Sequence, residues 1–299
     1  MKNIVILLLL WRIGDAAPAL QPVVEAEESV YTYQSANNGA GPLWCSGSTC
    51  LARIGDEIFA SGLETLPDEK PLNNCRWTLF RRHNGSWQLE QADAVGRTRE
   101  PCPLAGFPDG HLLLSVNPTL TASGSYSGPA RPEILRFGVH GTKAKGQSLL
   151  PIWEGTPRFA EHSYRSFAAD GPGAELILFQ NVDYTHAEWT FRDRDGKWAA
   201  QGKLTWPQRF QVTADNRLIV IFYVGGTASS GKAVSENRVQ EILPNGEMGP
   251  AARIPFKQPF ISYFTATVRG GSPPSTILEV LGQRAGEPLK MCYARVRLW

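Results

Sequence analysis

One short phrase recurs along this chain and constrains its fold more than any other feature: a polar turn followed by a brief apolar run. It reads Gly55-Asp56-Glu57-Ile58-Phe59, then Pro108-Asp109-Gly110 before His111-Leu112-Leu113-Leu114. It returns as Asp170-Gly171 before Glu175-Leu176-Ile177-Leu178-Phe179, and as Asp215-Asn216-Arg217 before Leu218-Ile219-Val220-Ile221. Pro274-Ser275-Thr276 before Ile277-Leu278-Glu279-Val280 is a weaker fifth copy. Runs this short and apolar suit strands buried on both faces better than helices. The copies are spaced by roughly 45–60 residues, which leaves room for four strands each.

A second phrase is written twice. Residues 75–91 read CRWTLFRRHNGSWQLEQ and residues 186–206 read HAEWTFRDRDGKWAAQGKLTW. In the second, Ala187, Trp189 and Phe191 alternate with Glu188, Thr190 and Arg192, and Trp198, Ala200, Gly202 and Leu204 continue the alternation beyond the turn. Period two means strand. Asn84-Gly85 and Asp195-Gly196 read as two-residue hairpin turns, because both central positions accept a positive φ. Each phrase is therefore expected to be the outer hairpin of a repeated unit, with its tryptophans packed between neighbouring units.

A repeat of four-stranded units points to an all-β fold, a β-propeller of about five four-stranded blades or an incomplete six-bladed one. The segments 43–90, 105–155, 160–206, 208–256 and 260–299 are the five units, and 20–42 adds a strand that closes onto the last. Thr205-Trp206-Pro207 passes almost directly into Gln208-Arg209-Phe210, where blades could be missing. A β-sandwich is the alternative fold. No convincing amphipathic helix is present. The composition agrees: 29 Gly, 22 Pro and 9 Trp suit short strands joined by tight turns.

Lys2 precedes an apolar run, Ile4–Trp11, and Ala17-Pro18-Ala19 then fits a small-x-small cleavage site. Residues 1–19 read as a signal peptide, leaving 20–299 as a single domain that is secreted or periplasmic. No second apolar run of spanning length follows, so no membrane partner is expected after cleavage. The net charge of +2 is made of interspersed charges, which excludes a bulk nucleic-acid surface. In an exported chain Cys45 could pair with Cys50 and Cys75 with Cys102, leaving Cys292; free buried thiols are the alternative. No metal-ligand spacing and no cofactor motif is found.

The turns Asp193-Arg194-Asp195-Gly196-Lys197-Trp198 and His83-Asn84-Gly85-Ser86-Trp87 resemble degenerate Asp-boxes of the bacterial-neuraminidase-repeat proteins, with a shortened spacing to Trp. Segments such as GPLWCSGSTCLARIGDEIFASGLET and EHSYRSFAADG are similar to sialidase-like propellers of polysaccharide-degrading environmental bacteria. The resemblance covers most of the chain after residue 19. It implies a propeller and an extracellular polysaccharide or glycan partner, but it leaves activity open because one scaffold carries many functions. The N-terminal Arg-Ile-Pro signature of a true sialidase is absent at its usual place, and Arg253-Ile254-Pro255, near the C-terminus, reads as strand.

Chemistry-bearing residues concentrate in the third unit. If 161–168 is extended, His162 and Tyr164 share a face about 7 Å apart, with Arg165 opposite. The stretch Asn181–Glu188 likewise puts Tyr184, His186 and Glu188 on one face. This set suits a polysaccharide lyase, which needs a base, an acid and a carboxylate clamp. His162 is the candidate base and Tyr164 or Tyr184 the acid, with His186 beside them; Arg165 or Arg131 is the clamp, supported by Asn181, Glu188 and Arg76. Glycoside hydrolysis needs a carboxyl pair, and Glu64, Glu161, Asp183 and Glu188 are available without a spacing that pairs them. For a sialidase-type site, Arg53, Arg99, Arg238 and Arg269 add arginines and Tyr263 a tyrosine. A non-catalytic glycan- or protein-binding propeller is the alternative function. Loops 117–132 and 225–237 are expected to border the site.

Overall fold

The computed structural model describes residues 19–43, 49–138, 147–170, 174–182, 187–204, 211–212, 218–227, 231, 233–243, 248–268, 276–284 and 290–299. The described residues form twenty strands and no helix. Strand β1 (Val23–Thr32) comes first. Sheet one contains β2 (Leu51–Ile54), β3 (Glu57–Thr65), β4 (Cys75–His83) and β5 (Ser86–Ala92). Sheet two contains β6 (Leu104–Gly106), β7 (His111–Val116), β8 (Glu133–Gly138) and β9 (Gln147–Leu149). Sheet three contains β10 (Arg165–Asp170), β11 (Glu175–Asn181), β12 (Ala187–Arg192) and β13 (Trp198–Leu204). Sheet four contains β14 (Gln211–Val212), β15 (Leu218–Thr227), β16 (Ala233–Ile242) and β17 (Ala252–Ile254). Sheet five contains β18 (Phe260–Val268), β19 (Ile277–Arg284) and β20 (Lys290–Arg297), with β1 as its fourth, outer strand.

The recurring turn-and-strand phrase is the second strand of every sheet: β3, β7, β11, β15 and β19. Such a strand has a neighbour on each edge, and β3, β7 and β19 have a sheet on each face. Leu112, Leu114, Ile58, Leu178 and Val280 are accordingly fully buried. The first strands of successive sheets lie beside one another where β18 meets β2, β2 meets β6, β6 meets β10, and β14 meets β18. The remaining step, from sheet three to sheet four, runs through 205–210, outside the described residues. Apolar clusters fill the same four junctions. Trp77 and Leu79 pack on Leu112, Leu114 and Phe137 between sheets one and two. Leu113 and Ile134 meet Phe167, Leu176 and Leu178 between two and three. Ile219 and Val239 meet Leu278 and Val280 between four and five, and Leu281 and Tyr293 meet Leu51 and Ile58 between five and one.

Both outer hairpins form, with different turns. Asn84 and Gly85 both have positive φ (48° and 75°), as a two-residue loop requires. In sheet three only Gly196 is left-handed (φ 80°), and Asp193 bonds to the Gly196 and Lys197 amides. That turn is longer than the two-residue loop expected from Asp195-Gly196. A bulge between Phe191 and Arg192 then shifts the register, placing Arg192 opposite Trp198. One extra residue reverses the alternation. Trp198 therefore packs toward sheet two, on the face opposite to Trp189, although the sequence alternation placed them together. The tryptophans of the first hairpin also divide, Trp77 toward sheet two and Trp87 onto Tyr293 of sheet five, with ring centroids 5.3 Å apart.

The expected Cys75–Cys102 bridge is not formed. Both thiols are free and buried, as is Cys292. Asn38 Nδ2 donates to Cys75 Sγ at 3.6 Å and Arg165 Nη2 to Cys102 Sγ at 3.4 Å, so each sulfur is turned to a polar partner. Burial pushes the Cys75 thiol up to about 12. Cys45, and with it any pairing to Cys50, lies outside the described residues, as do residues 1–18 of the expected signal segment.

β1 pairs antiparallel with β20 from Val23↔Arg297 to Thr32↔Lys290. It also grips sheet one: Glu28 accepts from Arg82 Nε and Nη2 at 2.7 and 2.5 Å and from Trp87 Nε1 at 3.0 Å. Three donors on one partly buried carboxylate should be worth more than an exposed ion pair. Replacing Glu28 with Ala is expected to lower stability by about 2 kcal/mol in urea titrations. Glu25→Ala, which breaks the more exposed pair with Arg297 (3.1 Å), should cost under about 0.5 kcal/mol.

Candidate functional site

Antiparallel pairing places the start of each sheet's first strand at the same end as the loop joining its second and third strands. In the first three sheets that end is polar. Asn38 lies ahead of β2, Arg99 and Glu100 ahead of β6, and Glu161 and His162 ahead of β10, and hydrogen bonds join them. Asn38 Nδ2 donates to Asn74 Oδ1 at 3.1 Å, and the Asn38 carbonyl accepts from Arg99 Nε at 2.9 Å. Arg99 Nη1 then bonds both Glu100 Oε1 and His162 Nδ1. His162 Nε2 lies 3.5 Å from Glu161 Oε1, whose other oxygen accepts the Gly128 amide at 3.1 Å.

The segment before β10 is not extended. Ser163 N bonds to Ala160 O at 3.0 Å and Tyr164 N to His162 O at 2.9 Å, so residues 160–164 form a tight turn and the strand begins at Arg165. Asn117 fixes that turn from sheet two: its Nδ2 donates to Ala160 O at 2.9 Å, and its Oδ1 accepts from Gln180 Nε2 at 3.2 Å. The turn carries His162 partly exposed to the rim, while Glu161, Ser163 and Arg165 are buried.

A guanidinium can only donate, so His162 Nδ1 presents its lone pair to Arg99 and the neutral ring carries its proton on Nε2. Burial, with the Arg99 charge, holds the His162 pKa below its usual value, against the pull of Glu161. The ring is thus neutral near pH 7 and offers an N–H donor. Glu100 is fully buried. That burial pushes its carboxyl up to about 7, against the guanidiniums of Arg99 and Arg165, with Glu161 adding to the rise. Its Oε2 has no partner among the described residues.

The structure brings together only some of the residues singled out from sequence. His162 is in the cluster, with Arg99 and Glu161. Tyr164 is half-buried in the same turn, and its carbonyl accepts the Asn181 amide at 2.9 Å. Arg165 is 2% exposed, and its Nη2 donates inward to the Glu100 and Pro101 carbonyls at 3.0 and 2.7 Å. Asn181 and Glu188 are buried beside it, at the end of β11 and start of β12, and Glu188 lies 3.7 Å from Lys203. Arg131 is an exposed residue chelating Glu133 at 2.9 and 2.5 Å, and Arg76 bonds to Glu64 at 2.8 Å on β4. Asp183, Tyr184 and His186 lie outside the described residues. Loop 117–132 does border the cluster, through Gly128. Most of 225–237 is instead the facing ends of β15 and β16. Arg253 sits on β17 and pairs with Glu236 at 3.2 Å.

The sequence reading passed over Glu100, Asn38, Asn117 and Gln180. Only the Arg99-Glu100 pair left a trace, as two charges set against Pro101-Cys102-Pro103 before an apolar strand.

No protein-family model matches the sequence, and no curated protein matches it. Among solved structures, a protein of unknown function from Dyadobacter fermentans aligns at TM-score 0.47 and 13% identity, covering 95% of this chain and all 100% of that one. An alpha-L-arabinanase of Penicillium chrysogenum, complexed with arabinobiose, aligns at 0.46 and 10% identity over 91% of this chain and 98% of its own. A GH62 hydrolase in complex with xylotriose aligns at 0.45 and 10% identity, over 89% and 95%. Similarity at this level assigns no chemistry, which rests on the residues themselves.

Glu100 gives a test of the cluster. A buried acid with a raised pKa favours the folded state most when protonated, below the usual carboxylate value of 4.5, and that advantage is lost as pH rises toward about 7. His162, with its lowered pKa, contributes a slope of opposite sign below 6.5. Glu100→Gln is therefore expected to remove the falling component, so that urea midpoints between about pH 5 and 7 rise more, or fall less, with pH than in the parent. An unchanged slope would place the Glu100 proton elsewhere.

Proposed function

We propose that this chain is an exported five-bladed propeller that binds an uncharged glycan at the end of its first three sheets, against the partly exposed His162 ring. One observation carries this reading: the arginines described at that end are each engaged by groups of the protein itself. Arg99 serves Glu100, Asn38 and His162, and Arg165 donates to backbone carbonyls. Arg97 bonds to Glu69 and the Thr121 carbonyl, Arg131 to Glu133, and Arg76 to Glu64. A site for uronate or sialate needs a guanidinium facing the ligand's carboxylate. Here the partly exposed group is the neutral His162 ring, with the Glu161 carboxylate buried behind it, a polar but uncharged face suited to sugar hydroxyls.

Lyase chemistry draws less support. The lone pair of His162 that would abstract a proton is occupied by Arg99, and Nε2 already carries hydrogen. Hydrolysis with Glu100 as acid would need that carboxyl to reach the ligand, and it is fully buried.

The experiment is affinity electrophoresis of the mature chain in gels containing xylan, arabinan or galactan, beside gels containing polygalacturonate or alginate. Absorbance of unsaturated product is followed in parallel solutions. Retardation by a neutral glycan, little by the uronates and no absorbance change is expected. His162→Ala should weaken the retardation about tenfold, the equivalent of about 1.4 kcal/mol. Growth of the unsaturated-product band would overturn the binding reading in favour of elimination.

A further inference from the structure

We propose that Tyr126 is the stacking platform of this glycan site, presented by a loop whose shape is set before any ligand arrives; the proposal rests on the neutral-glycan reading above. Loop 117–132 is exposed, yet it is held from four directions. Arg97 Nη2 donates to the Thr121 carbonyl at 2.6 Å, and Asn73 Nδ2 to the Tyr126 carbonyl at 3.3 Å. Glu69 accepts from Ser123 Oγ at 2.5 Å and from the Gly124 amide at 3.1 Å. Those two bonds, with Arg97 adding to them, hold the Glu69 carboxyl below its usual range, so the anchor persists at neutral pH. Glu161 completes the set through the Gly128 amide at 3.1 Å.

The neck of the loop is zipped. Leu120 N bonds to Pro129 O at 2.8 Å, and Thr119 bridges Ala130. Gly128 is needed there, because a Cβ at that position would lie 2.2 Å from Thr121 Cγ2.

These anchors all act on backbone or on side chains other than the Tyr126 ring. Tyr126 is 58% exposed, near the middle of the loop. It stands two residues from Gly128, whose amide holds the buried Glu161 carboxylate next to His162. A loop fixed this firmly removes the ordering cost that would otherwise be charged against binding. An exposed aromatic side chain supplies flat apolar area with few rotamers to lose. The matching ligand surface is the C–H face of an uncharged pyranose or furanose ring, whose edge hydroxyls meet the partly exposed His162 ring.

The test uses the mature chain and whichever of xylan, arabinan or galactan it binds best. Tyr126→Ala is expected to weaken binding about tenfold, Tyr126→Phe to stay within about twofold of the parent, and neither to shift Tm, since the ring is exposed. Wild-type affinity for Tyr126→Ala alongside loss in His162→Ala overturns the platform and leaves the neutral-glycan reading standing. Loss in Tyr126→Ala with retention in His162→Ala supports the platform and overturns the assigned role of His162. A parent chain that binds none of the three glycans overturns both.

Discussion

The pairing of β1 with β20 is the interaction on which the rest depends. It joins strands far apart in the sequence in one sheet, so the last sheet is complete only when β1 has returned to it. Loop-closure entropy grows only with the logarithm of length, so so long a connection costs little more than a short one. Without β1, β20 would present a row of unpaired backbone groups. The same strand also presses Glu28 against Arg82 and Trp87 of sheet one. Behind it, the fully buried Glu279 of β19 bonds to Arg53 of β2 at 2.8 Å, so a second charged contact ties sheets five and one.

That closure also positions the polar end. The chain leaving β1 runs directly to Asn38, whose side chain and carbonyl hold Asn74, Cys75 and Arg99. Arg99 in turn holds Glu100 and His162. The tie between sheets five and one thus connects through a few hydrogen bonds to the candidate site across sheets one to three. Placing Arg99, Glu100 and Arg165 away from water is costly, and such groups stay charged only when paired and bonded. The arrangement spends both guanidiniums on internal carbonyls, a carboxylate and an imidazole. In our proposal, what a ligand meets is the neutral His162 ring and an aromatic face.

Much of the fold was legible because burial writes itself locally. A strand flanked by strands and covered by sheets must be apolar on both sides, so Leu112–Leu114 and Leu176–Leu178 announce themselves. The site was far less legible. His162 stood out as a histidine in an aromatic, basic stretch, and Glu161 and Arg99 were among many charged candidates. Glu100, Asn38, Asn117 and Gln180 carry no periodic signature, since each lies at a strand end or in a loop. Arg165 and Arg131 look alike in sequence, yet one is buried against carbonyls and the other is chelated at the surface.

The sequence by itself determined the class of structure: period-two alternation, repeated turns and spacing specify short strands in four-stranded groups, about five of them or an incomplete six. Tertiary structure alone decided which faces the tryptophans took, because a single bulged residue at the sheet-three hairpin reverses Trp198 and no pattern in composition marks it. It also decided that Cys75 and Cys102 remain thiols and that the arginines turn inward. Those outcomes depend on distances between residues far apart in the chain, and hydrogen-bond partners are chosen only once the sheets are packed side by side.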